Sequence, residues 1–227
     1  IGGILFAHRQ MKAAVPFLDL RVLKTKEYAL SVFGSILLYL VLMGSSMLMP
    51  LYVQSILGKS ATISGLVVLP GSLVSAFLSP IAGRIYDKVG IRILTIIGGS
   101  SLVLSNIGMF FIHIHTGIWM AVCLNILRCA ATGCLLMPFV TWGNKNIPPE
   151  LTAHGTALLT SLRTVAGAIG TAVFVGIMNT VARNSHTLTG SAALLHGMNV
   201  SFLVMTVASG LLLFTGLFLI KDSRTEV

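Results

Sequence analysis

Two arginines sit where almost every neighbour is apolar, and they are the first residues in this sequence with chemistry to explain. Arg128 and Arg163 each lie well inside a long apolar run. A guanidinium at the centre of a bilayer costs at least ~2.5–3.5 kcal/mol on the insertion scale, so something must offset it. Two offsets are open. Each arginine either lines an aqueous cavity, facing a substrate or a carboxylate from another domain, or donates to backbone carbonyls and ties helices together. Asn125, Arg128 and Thr132 are spaced i, i+3, i+7 and share one helix face, a polar stripe that favours the cavity for Arg128. For Arg163 both readings stand equally.

A second constellation is the stretch Gly83-Arg84-Ile85-Tyr86-Asp87-Lys88-Val89-Gly90-Ile91-Arg92 between two apolar runs. Its glycines permit a tight turn and close helix approach. Asp87 stands just before the start of the next helix, where the helix dipole favours negative charge. The flanking Arg84, Lys88 and Arg92 can pair with it or with lipid phosphates. As a generic loop the same stretch would be an ordinary basic turn on the cytoplasmic side.

The other ionisable residues are placed for topology rather than catalysis. All six carboxylates, Asp19, Glu27, Asp87, Glu150, Asp222 and Glu226, fall outside the apolar runs. The histidines lie in loops or at span ends, with His154 nearest a helix. A proton-driven carrier needs an intramembrane acid or histidine, so any main proton carrier is expected outside this sequence. Cys123, Cys129 and Cys134 share one apolar run without a pairing or metal spacing and read as small apolar fillers. No nucleophile–base pair or metal-ligand cluster stands out, so neither enzyme chemistry nor a metal or other cofactor is expected.

The elements that must carry these residues are membrane spans. The chain has 227 residues, of which 55% are hydrophobic and only 9% charged. Its mean hydropathy is +0.94. A soluble domain carries roughly a quarter charged residues, and this chain has too little polar surface to cover a water-facing globule. The net charge of +9 comes in short bursts between apolar runs, without an aromatic-interleaved basic patch, which argues against nucleic acid as a partner.

Crossing the hydrocarbon takes about 20 apolar residues. Six runs qualify, at about 29–53, 62–82, 91–112, 117–141, 153–178 and 199–220, here spans a to f. Each contains Gly, Ser or Thr, as close helix packing in lipid demands. Segments on one side hold eleven Lys and Arg, including Arg84, Lys88, Arg92 and Lys145; the opposite loops hold only Lys59 and Arg183. The basic side is expected to be cytoplasmic, which makes this a multi-pass protein of the cell membrane with its C-terminus on the cytoplasmic side. Entering span d from outside and span e from inside places Arg128 about 16 Å and Arg163 about 15 Å deep, both near mid-bilayer. Trp119 and Trp142 bracket span d and are expected at the two membrane interfaces.

The pattern Gly83-x3-Asp87-Lys88-x-Gly90-x-Arg92 resembles the cytoplasmic-loop signature of the major facilitator superfamily. More of the chain is similar to the 14-helix branch of drug:proton antiporters. The matching pieces are Pro16-Phe-Leu-Asp-Leu-Arg-Val-Leu before a span, Met49-Pro-Leu-Tyr-Val-Gln at its outer end, and Ser64-Gly-Leu-Val-Val-Leu-Pro in the next. They continue with Arg128-x4-Gly133-x4-Pro138, Ile147-Pro-Pro-Glu, and Leu162-Arg-Thr-Val-Ala-Gly-Ala-Ile-Gly-Thr-Ala. The set covers nearly the whole chain, in order.

The resemblance implies an all-α integral membrane fold: a six-transmembrane-helix bundle, half of a major facilitator fold, built as a 3+3 inverted repeat. Residues 1–7 would end a preceding transmembrane helix and 8–28 form a cytoplasmic connector. Residues 29–220 would be the C-terminal bundle and 221–227 a cytoplasmic tail, the N-terminal bundle of the same polypeptide lying outside this sequence. Gly83, Arg84, Asp87, Lys88, Gly90 and Arg92 would form a cytoplasmic gate. Spans a and d, with parts of b and e, would line the cavity, making Tyr39, Met43, Met47, Asn125, Arg128, Thr132 and Arg163 its candidate lining. A flexible, polarizable Met suits a promiscuous apolar pocket, although any one of them also serves as core filler or faces lipid. Small residues along span e, Gly167 and Gly170 among them, would let it pack backbone to backbone and slide. Span e lacks the Gly-Pro pair of the antiporter helix it would mirror, and Tyr86 replaces a usually small residue of the loop signature.

The function these readings lead to is proton-coupled efflux of amphipathic, often cationic drugs by alternating access, with the lipid bilayer, protons and small amphipathic substrates as partners. An exporter of a metabolite, lipid or siderophore on the same fold is a second reading. A non-transporting membrane scaffold is a third.

Overall fold

The computed structural model describes residues 20–114, 116–185 and 188–220. The expected end of an earlier span at 1–7, the connector up to residue 19 and the tail 221–227 lie outside the described residues. Within them five helices are long and apolar enough to cross a membrane. They are α1 (Lys26–Leu51), α2 (Ala61–Phe110), α3 (Ile118–Lys145), α4 (Thr152–Arg183) and α5 (Ser191–Phe214). A 3-10 turn, Leu20–Lys24, precedes α1, and another, Pro149–Leu151, leads into α4. Wider π-type turns extend α1 over Tyr52–Ile56 and α5 over Thr215–Leu219.

Spans a, d and e correspond to α1, α3 and α4. Span f starts earlier than the apolar run suggested, at Ser191 rather than near 199. His196 and Asn199 interrupt the hydropathy but not the helix. Gly197 instead seats that first stretch against the backbone carbonyl of Met178 on α4, with no room for a Cβ.

Spans b and c are joined. Helix α2 runs for 50 residues, and its one non-helical residue is Gly90, with φ 79° and ψ 174°. Only glycine adopts that backbone geometry without strain. The chain reverses there, as the packing along α3 shows. On the first limb, Gly71 lies against Asn125 and Cys129, and Ser75 against Gly133. On the second, Gly98 lies against Leu135, and Gly108 against Leu124. The first limb thus runs with α3 and the second against it.

Small residues and hydroxyls hold the helices together, since burying apolar surface gains little among lipid tails. Ser31 Oγ donates to the Phe139 carbonyl at 2.5 Å. Tyr28 OH donates to the Gly155 carbonyl at 2.6 Å, and Ser105 Oγ to the Leu124 carbonyl at 2.6 Å. Asn106 Nδ2 reaches Ser209 Oγ at 2.8 Å, joining α2 to α5. Apolar side chains such as Phe77, Leu104, Val207 and Phe218 point outward, as they would toward lipid. The two tryptophans part company. Trp119 is 77% exposed, but Trp142 is 6% exposed, inside a cluster with Tyr86, Ile91 and Leu94. Trp142 is a core residue beneath the Gly90 turn, because that turn folds down over the end of α3.

Candidate functional site: a cavity around Arg128

The polar stripe on α3 is buried. Asn125 is 1%, Arg128 3% and Thr132 3% exposed. Arg128 Nη2 donates to Asn125 Oδ1, and Thr132 Oγ1 donates to the Cys129 carbonyl at 3.0 Å. Arg128 Nε and Nη1 and Asn125 Nδ2 are buried and have no hydrogen-bond partner.

All three stripe residues line a cavity of about 410 Å³ between α1, the first limb of α2, and α3. From α1 come Leu42, Ser46 and Met49; from α2, Val68, Ser72, Ser75 and Ser79. Ser46 and Ser72 are exposed at its rim while Arg128 is buried at its floor. Close approach of α2 to α3 bounds it. A Cβ on Gly71 would lie 2.8 Å from Asn125 Nδ2, and one on Gly133 would lie 2.9 Å from the Ser75 carbonyl.

Sequence reasoning missed the serines. Ser72, Ser75 and Ser79 repeat the i, i+3, i+7 spacing of Asn125, Arg128 and Thr132, so the signal was present. Single hydroxyls are common in apolar helices, where they bond back to their own carbonyls, and Ser72 does so to Val68 at 3.4 Å.

The remaining cavity candidates lie elsewhere. Arg163 is half-buried, with its Cζ 5.1 Å from the centre of the Tyr39 ring, a cation–π contact between α4 and α1. Met43 and Tyr39 pack on Gly167. Gly170 takes the backbone carbonyl of Leu40 against its Cα, leaving no room for a Cβ. Met47 is 46% exposed. Tyr39, Met43 and Arg163 therefore form a second polar contact on the α1–α4 seam, one helix face away from Arg128.

The charged loop residues gather at the Gly90 end. Arg84, Asp87, Lys88 and Arg92 are exposed. Asp87 pairs with Lys145 of α3 at 3.7 Å, a partner 58 positions away in sequence. Lys145 also sits 5.0 Å from the centre of the Tyr86 ring, a cation–π contact. Arg92 Nη2 donates to the Leu217 carbonyl at 3.1 Å, in the last turn of α5. Gly83 has open space around it.

The family model of the Major Facilitator Superfamily matches residues 6–171. The chain belongs to this superfamily. It is 37% identical over 207 residues to the uncharacterized MFS-type transporter YcnB of Bacillus subtilis (strain 168), covering 91% of this chain and 44% of the relative. It is 34% identical over 185 residues to the lincomycin resistance protein LmrB of Listeria innocua, covering 79% of this chain and 39% of the relative. Over 170 residues it is 28% identical to the multidrug export protein EmrB of Haemophilus influenzae, covering 70% of this chain and 31% of the relative. The chain spans less than half the length of these relatives. Superfamily membership and the long apolar helices make it a multi-pass membrane protein of a transporter family rather than an enzyme.

Proposed function

We propose that this chain is a six-crossing bundle of a secondary transporter that exports amphipathic small molecules in exchange for protons by alternating access. The observation that carries the reading is the cavity floored by Arg128, in a chain of this superfamily and similar to proteins named for lincomycin resistance and multidrug export. A transporter needs a polar group at depth inside an apolar wall, and a buried arginine with free donors in an apolar helix meets that need.

The reversal at Gly90 supports six crossings, with the two limbs of α2 crossing separately. The Gly90 end and the end of α5 would then face the cytoplasm, where the basic residues collect. The Asp87–Lys145 pair and the Arg92–Leu217 contact are suited to a gate at that end, closing and opening as helices shift. Tyr39, Met43 and Arg163 would couple α4 to α1 during the same motion, with Gly167 and Gly170 keeping that seam close enough to slide. A second bundle, supplied by the rest of a longer polypeptide, would cover the rim at Ser46 and Ser72 and carry the proton-binding acid.

The test is dye uptake into everted vesicles holding the full-length protein, where export runs from the medium into the lumen. Export should follow the imposed proton gradient and stop when an ionophore collapses it. Movement indifferent to the gradient would remove the proton coupling, and absence of any flux would remove the transport reading.

A further inference from the structure

We infer that the Arg128 cavity is a subsite for an anionic oxygen group, a carboxylate or its equivalent, on an otherwise apolar cargo. The inference rests on the reading of this cavity as the cargo site and names the cargo's chemistry, which the family resemblance pointed toward cations.

The lining is one-sided. Arg128 Nε, Arg128 Nη1 and Asn125 Nδ2 are all donors, all buried, and all without a partner. The amide oxygen beside them, Asn125 Oδ1, is already taken by Arg128 Nη2. Among the described residues no Asp or Glu lines the cavity, and the described acids, Glu27, Asp87 and Glu150, stand at helix ends. Ser75 and Ser79 line the same space and carry hydroxyls able to donate, whereas the Ser72 hydroxyl is already given to the Val68 carbonyl.

A cationic cargo would meet a fixed positive charge here with no anion to answer it. A carboxylate would instead take the planar guanidinium fork, in the geometry that makes such pairs strong. Leu42, Met49 and Val68 complete the wall with apolar surface. A cavity of about 410 Å³ is large enough for an acidic group carried on a ring. An ion pair supplied by an acid from elsewhere in the polypeptide would satisfy the same donors, and the experiment separates the two.

The measurement is equilibrium binding to the purified full-length protein, read by fluorescence anisotropy, of a xanthene dye bearing a free carboxylate and of its methyl ester. The carboxylate should bind at least about tenfold more tightly than the ester, as a charge-assisted hydrogen bond predicts. Arg128→Gln should erase that preference by weakening carboxylate binding far more than ester binding, and Arg128→Lys should keep part of it, having the charge without the fork. Equal binding of the two dyes in the wild type, failure of the carboxylate to bind, or a preference untouched by Arg128→Gln would each overturn the inference. The wild-type comparison stands even if a variant fails to fold. Binding needs no gradient, so a protein that prefers the carboxylate but moves nothing would defeat the transport reading and leave this one intact.

Discussion

At the scale of single residues, the contacts that decide most involve the smallest side chains. Gly170 and Gly176 are both helical glycines of α4, about 1.7 turns apart, in opposite surroundings. A Cβ at Gly170 would run into the Leu40 backbone, whereas nothing lies within 4 Å of one at Gly176. Gly170→Ala must therefore push α1 and α4 apart, at a cost of about 1–3 kcal/mol. Gly176→Ala should stabilise by about 0.5–1 kcal/mol through helix propensity alone. Thermal unfolding of the two variants in detergent checks this, with melting temperatures moving in opposite directions. The sequence marked span e as rich in small residues but could not say which glycines touch a neighbour, since that depends on the rotation of α4 against α1. Arg128 was legible for a simpler reason: a charge inside an apolar run needs compensation whatever the packing. Its serine partners on α2 were not, because hydroxyls are tolerated anywhere in a helix.

At the scale of elements, the Gly90 turn is where charge pattern and geometry meet. The loop's polarity was readable, but the partner of Asp87 was not, because Lys145 lies 58 positions later and only the fold brings it near. Both members of this pair are more than half exposed, so it is worth no more than about 1 kcal/mol to stability. Asp87→Asn is accordingly expected to leave the melting temperature nearly unchanged and to slow efflux. The charge swap Asp87→Lys with Lys145→Asp should restore part of the rate. Initial efflux rates for the single and double variants test this, and additive losses would exclude a functional pair. The neighbouring Arg92 makes a different contact, capping the Leu217 carbonyl. Arg92→Gln should speed amide hydrogen exchange over 215–220 and leave the rest of α5 unaffected.

At the scale of the whole molecule, hydropathy located the long apolar helices of the described residues, but whether α2 crosses once or twice turns on one glycine. The six-crossing proposal puts Lys59 and Lys145 on opposite sides of the membrane, whereas a single crossing by α2 would put them on the same side. Cysteines introduced at these two positions, in a background with Cys123, Cys129 and Cys134 replaced, should label from opposite faces with an impermeant maleimide. The central claim, however, is that cargo passes through the Arg128 cavity by alternating access, and Cys129 reports on it directly. Cys129 lines the cavity and is half-buried. In the full-length protein with Cys123→Ala, Cys134→Ala and any other cysteines replaced, the decisive measurement is the labelling rate of Cys129 from each side of the membrane, with and without dye. The account predicts labelling from both sides, in proportions that shift with the proton gradient, and protection by the dye. A thiol reached from one side only, at a rate that dye does not change, would contradict it.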